Sequence, residues 1–178
     1  YKTPSLFPIM SFIIPLTFAY SSTNTFETQL SPWIQTHGYV ERDNLLPKNG
    51  TYDMNIFGGH APSPPYGTAR MLLDKNYTTG FISFTAWVNK LNWANEWLDI
   101  TIGKQSGTSA TTVASIGRNN VSGTFRYMND GASADAATFF TLNTWYKIEI
   151  DLNFDSNRIT YKIYDATDTL LETLTDKK

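Results

Sequence analysis

The chain has 178 residues, no cysteine and a formal net charge of −2. That length supports one domain with a proper hydrophobic core, with or without an arm. The lack of cysteine excludes disulfides and thiolate metal sites. The absence of any Lys/Arg cluster argues against nucleic-acid binding, because phosphate contacts need grouped cations.

Residues 1–25 read as an extended arm followed by a polar linker, and residues 26–178 as the body. The most apolar run is MSFIIPLTFAYSS, Met10–Ser22. A membrane span needs about 20 consecutive apolar residues. Pro4, Pro8 and Pro15 interrupt this shorter run, and proline breaks a helix interior. No membrane span is therefore expected. As a strand, the run places Phe12, Ile14, Leu16, Phe18 and Tyr20 on one bulky apolar face. Ser11, Ile13, Pro15, Thr17 and Ala19 take the other. Pro15 suits an edge or added strand, which tolerates one missing N–H. Three uses of this arm are open: insertion into a neighbouring copy, packing on its own domain, or a retained signal segment.

Short strand-like runs then recur between turn signals. TYDMNIFGG (Thr51–Gly59) alternates Met54 and Ile56 with polar residues, a proline-rich loop follows, and ARMLLD resumes a strand. GFISFTAWVNK (Gly80–Lys90) puts Ile82, Phe84, Ala86 and Val88 on one face. EWLDITIGK turns Leu98, Ile100 and Ile102 inward, and TTVASIGR and GTFRYMND read as shorter strands. The clearest unit is Thr144–Asp165. There Tyr146, Ile148, Ile150, Leu152 and Phe154 alternate with polar residues, Asp155-Ser156-Asn157 turns the chain, and Ile159, Tyr161 and Ile163 return. Thr167–Thr175 offers one more strand. Trp93–Trp97 and Ala132–Thr138 are the two stretches with helical character. The aromatic share of 15% and the abundance of Thr, Ser, Asn and Gly favour β-structure over helix. The expected class is all-β, an antiparallel two-sheet jelly-roll sandwich with an extended N-terminal strand.

These residues carry a resemblance. FETQLSPW (Phe26–Trp33), GTYDMNI, GFISFTAWV and NTWYKIEIDLNFDSNRITYKIYD together resemble concanavalin A-like, laminin-G-like jelly-roll modules across about Phe26 to Asp165. The resemblance implies a two-sheet jelly roll, often one that binds carbohydrate. In such modules a further strand closes the sheet beside the first one. Here that terminal strand is unassigned, while a spare strand stands at the N-terminal end. The arm is similar to those of donor-strand-exchanged extracellular filament subunits.

The chemical candidates are few. Glu149 and Asp151 look like part of a glucanase Glu-x-Asp-x-x-Glu strand, but Asn153 and Phe154 stand where the second glutamate belongs. Asp151, Asn153 and Asp155 open with calcium-loop spacing, yet Ser156 replaces the expected glycine and Lys162 the expected glutamate. His37 and His60 lack a third ligand. No catalytic residue, metal or cofactor is assigned. Asn49, Asn76 and Asn120 each begin an N-glycosylation signal and are candidates for covalent N-glycans on an exported protein. Trp87, Asn92, Trp93 and Trp97 belong to an aromatic–amide segment able to stack on and hydrogen-bond a sugar. The sequence thus points to a non-catalytic extracellular or cell-surface subunit that polymerises with copies of itself through Phe12–Tyr20. The alternative is a lectin-like carbohydrate-binding module.

Overall fold

The computed structural model describes residues 34–37, 39–43, 53–57, 68–70, 78–90, 98–106 and 109–177. Every element among them is a strand, and every pairing is antiparallel. β1 (Ile34–His37) pairs with β4 (Thr68–Arg70), and β2 (Tyr39–Asp43) with β3 (Asp53–Phe57). The body is built from β5 (Phe81–Val88), β6 (Asp99–Ser106), β7 (Ser109–Arg118) and β8 (Thr124–Asn129), and from β9 (Ala132–Phe139), β10 (Tyr146–Asn153), β11 (Arg158–Tyr164) and β12 (Leu170–Lys177).

Two four-stranded sheets result, in the orders β12-β11-β10-β5 and β6-β7-β8-β9. The second is a meander inserted between β5 and β10. The chain leaves the first sheet after β5, completes the second, and returns beside β5. The sheets face each other as a sandwich, and ring contacts bridge the layers. Phe125 of β8 meets Tyr146 of β10 edge-on at 5.2 Å, and Tyr127 meets Tyr161 of β11 at 5.5 Å. Such edge-to-face pairs add to the burial of the rings themselves.

The β10–β11 hairpin explains why this sequence makes this core. Along β10 buried and half-buried residues alternate strictly, with Tyr146, Ile148, Ile150 and Leu152 inside. Ile159, Tyr161 and Ile163 answer from β11. Asn157 takes the left-handed conformation that closes the turn, at φ 51°. The β8–β9 connection is a two-residue hairpin with Asp130 at φ 51° and Gly131 at φ 75°. Positive φ at both positions is the signature of a type I′ turn, whose twist matches the strands it joins.

Ala132–Thr138 is not helical. It forms β9, paired with β8 from Thr124↔Phe139 to Asn129↔Ala132. The ASADAATF run has the alanines of a helix, but the type I′ turn returns it antiparallel to β8, and ladder bonds override local propensity. Trp93–Trp97 lies outside the described residues. The final strand begins at Leu170, three residues later than the sequence pattern places it, because Asp165 organises the turn before it. Its Oδ1 accepts bonds from the Thr167 and Thr169 N–H groups, at 2.8 and 3.0 Å, and from the Thr167 hydroxyl, at 2.7 Å. Backbone donation from Thr169 and the Thr167 hydroxyl bond hold the Asp165 carboxyl below its usual range.

Candidate functional site

Each four-stranded sheet has two edges, and the two sides of the sandwich are finished differently. On one side β12 lies against β8 and β9. Glu172 reaches across from β12 to the edge strand β9. Its carboxylate accepts the Ala137 and Thr138 N–H groups at 3.1 and 2.8 Å and the Thr138 hydroxyl at 2.6 Å. Burial works to raise this carboxyl, but the bonds from Thr138 and Ala137 outweigh it and hold it below the usual range. Four residues on, Asp176 is fully buried, and its Oδ1 accepts the Asp130 N–H at 2.7 Å. Between them Leu174 enters the core. Inward-pointing acids on such a strand hinder further pairing, and here Glu172 satisfies two N–H groups of β9 and Asp176 Oδ1 one in the β8–β9 turn, while Asp176 Oδ2 stays buried without a partner. The sequence contains the signal, an acid on either side of Leu174 at two-residue spacing, but charge alternation ordinarily marks a wet face.

Among the described residues the other side is formed by β5 and β6, which end their sheets opposite β12 and β9. Their inward residues are the ones expected from alternation. Ile82, Phe84, Ala86 and Val88 stand opposite Leu152, Ile150, Ile148 and Tyr146. Their burial is incomplete: Ile82 is buried, whereas Phe84 and Val88, with Leu98 just before β6 and Ile100 and Ile102 within it, are only partly covered. Ile148 and Ile150, one strand inward, are fully buried. Gly117 of β7 sets how closely β6 approaches, because any Cβ there would overlap the Leu98 carbonyl oxygen.

The outer face of the first sheet holds the acidic candidates. Lys162 Nζ bonds Asp151 Oδ2 at 2.8 Å and Glu149 Oε1 at 2.6 Å, and these bonds raise the lysine above its usual value. Asp151 Oδ1 also accepts the Ser83 hydroxyl at 2.7 Å, and Glu149 Oε2 accepts the Tyr164 hydroxyl at 3.2 Å. An ammonium sits between the two carboxylates, where a glycosidase would need to place a scissile bond. Asp155 accepts the Gly80 N–H and Asn153 Oδ1 the Ser156 N–H, each at 3.0 Å, so the three residues with calcium-loop spacing each have a separate partner. Among the described residues no group of three metal-ligating side chains converges.

Trp87 stands opposite Lys147, which in turn stands opposite Tyr164, so the three form one row across the outer face. Lys147 Nζ lies 3.9 Å from the Tyr164 ring centroid and pairs with Asp168. Asn92, Trp93 and Trp97 lie outside the described residues, as do Asn49, Asn76 and the arm residues Phe12, Ile14, Leu16, Phe18 and Tyr20. Asn120 sits in the β7–β8 turn. Its Oδ1 accepts Arg118 Nη1 at 2.5 Å, and its Nδ2, the atom a glycan would occupy, is enclosed without a partner. A sugar there requires the side chain to rotate outward. No protein family, characterised protein or solved structure matches the chain.

Proposed function

We propose that the chain is a non-catalytic extracellular structural subunit that joins copies of itself head to tail, each arm packing on the neighbour's β5/β6 flank. One observation carries this reading: the β9/β12 flank is locked by buried and hydrogen-bonded acids, while the β5/β6 flank presents a half-covered apolar row. The arm's Phe12, Ile14, Leu16, Phe18 and Tyr20 supply the complementary row. Burying five such side chains contributes roughly 7–15 kcal/mol before association costs. A head-to-tail contact that does not close on itself propagates as a filament. The likeness to jelly-roll modules and to donor-strand fibres agrees with this use, and the lysine-bridged Glu149–Asp151 pair agrees with a structural role. Asn49, Asn76 and Asn120 remain the candidate glycan carriers of such a surface subunit.

Negative-stain microscopy of the full chain tests it. Native material should show fibres, and Leu16→Asp with Phe18→Asp should leave folded single particles. Monodisperse monomers from the unmodified chain overturn the reading.

A second reading, a carbohydrate-binding module, is favoured by the Trp87–Lys147–Tyr164 row, which sets two aromatic residues and a cation on one sheet face. A glycan-array signal lost in Trp87→Ala supports it.

A further inference from the structure

Resting on the extracellular reading above, we infer that Asn120 accepts a glycan before the chain folds and not after, because the closed β7–β8 turn withholds the atom a sugar must join.

The signal Asn120-Val121-Ser122 lies in that turn. Val121 is 93% exposed, but the reacting atom beside it is not. Asn120 Nδ2 is enclosed, and Oδ1 of the same amide accepts Arg118 Nη1 at 2.5 Å. The amide group is planar, so the guanidinium that holds its oxygen also fixes where its nitrogen points. Main-chain bonds tie the turn around this pair. The Asn119 N–H donates to the Thr124 carbonyl at 2.9 Å, and the Gly123 N–H to the Asn119 carbonyl at 2.8 Å. Gly123 takes φ 74°, a left-handed value that suits glycine. The Asn119 side chain fastens the turn to β9. Its Oδ1 accepts the Val121 N–H at 2.9 Å, and its Nδ2 donates to both Asp135 carboxylate oxygens, at 2.9 and 3.1 Å. Ser122, the hydroxyl residue of the signal, is engaged with Thr124 Oγ1 at 2.7 Å.

Glycan transfer joins Nδ2 to the anomeric carbon of a sugar activated as a diphosphate ester. The bond from that carbon to the diphosphate oxygen breaks, its electron pair leaves with the diphosphate, and Nδ2 gives up one proton. The nitrogen must meet the donor directly and afterwards carry a group far larger than the space around it. Neither fits the closed turn, so the sugar and the Arg118–Asn120 bond exclude each other. The unmodified fold also carries a penalty here. Asn120 Nδ2 and Arg118 Nε are both enclosed donors without an acceptor. A glycosylated side chain turned outward relieves the first of these. Occupancy of Asn120 is thus set by whether transfer precedes closure of the turn.

The order of events can be read directly. The full chain is synthesised in the presence of a soluble N-glycosyltransferase and its sugar-nucleotide donor, or is first purified folded and then given the same enzyme and donor. Mass spectrometry of the peptide carrying Asn120 measures occupancy. Asn120 should be modified during synthesis, and less by about tenfold or more in the folded chain, as parting a hydrogen bond to a charged group implies. Arg118→Met frees the amide oxygen. Asp135→Ala unfastens Asn119 from β9 and leaves the signal itself unaltered. Both variants, shown to be folded by circular dichroism, should raise the occupancy of the purified chain toward the value reached during synthesis. Equal occupancy of the parent chain by the two routes overturns the inference. No occupancy by either route overturns Asn120 as a glycan site. Folded variants as protected as the parent overturn the assignment of the protection to these bonds. None of these results touches the filament reading, which stands or falls on microscopy of the full chain.

Discussion

The two flanks of this sandwich are built from similar material and finished in opposite ways. The two strands that end the first sheet among the described residues each run for eight residues, and both turn alternate side chains inward. β12 places acids among those inward positions, and the acids find the N–H groups of Ala137, Thr138 and Asp130. β5 places only apolar residues there, and Phe84 and Val88 stay partly uncovered. The difference teaches that the inward row of a sheet-ending strand can be finished with carboxylates satisfied within the chain, or with apolar residues alone. The first needs backbone N–H groups placed to donate to carboxylates that have lost water, as Glu172 and Asp176 Oδ1 show. The second needs an inward row free of charge, as in β5.

The contrast can be broken most severely at Gly117. Gly117→Ala forces a methyl into the Leu98 carbonyl and must displace β6. Overpacking against backbone costs roughly 3 kcal/mol or more, so thermal unfolding should move strongly downward and assembly should be lost. Ile150→Ala and Phe84→Ala then sharpen the comparison across one rung of the β10–β5 ladder. The first empties a fully buried site and should cost about 2–5 kcal/mol in the isolated subunit. The second should cost less in the monomer, measured by denaturant unfolding, yet weaken fibres more than Ile150→Ala does.

Glu172→Ala tests the closed flank and should cost roughly 1.5–3 kcal/mol, because charge-assisted bonds to two backbone donors are lost. Glu172 also predicts a pH dependence. The folded chain holds this carboxyl below its ordinary value of 4.5, so the unfolded chain takes up the proton first on acidification. Its contribution is complete above about pH 4.5 and is lost as pH falls through the lower folded value. Glu172→Gln should flatten that part of the stability–pH curve. The smallest effect belongs to Lys162→Met on the outer face. The ammonium is partly exposed and solvent-screened, so unfolding should shift by no more than about 1 kcal/mol.

The legibility of the fold varied from element to element for physical reasons. β10 and β11 were readable because Tyr146, Ile148, Ile150 and Leu152 follow the two-residue period without exception, and one face of that hairpin is core. β5 was equally readable, since its inward face is uniformly apolar. β9 was not, because Ala132–Phe139 is short-chained and carries no large apolar alternation. Its strand state comes from the Asp130-Gly131 turn and from β8. The site was legible only in part. The row Phe12–Tyr20 and the apolar face of β5 stand out in the sequence, but nothing in it says that β5 and β6 end the two described sheets on one side.

The sequence by itself determined the class of the fold and the inward face of its central strands, because a period of two and the burial of bulky apolar groups act locally. Only the tertiary structure decided what each edge became. Glu172 and Asp176 read as solvent-facing residues until β12 is laid against β9, and Lys162 reads as a lone cation until β11 sets it between Glu149 and Asp151. Those outcomes depend on which donors meet a carboxylate across tens of residues, and such a meeting exists only once the sheets have packed.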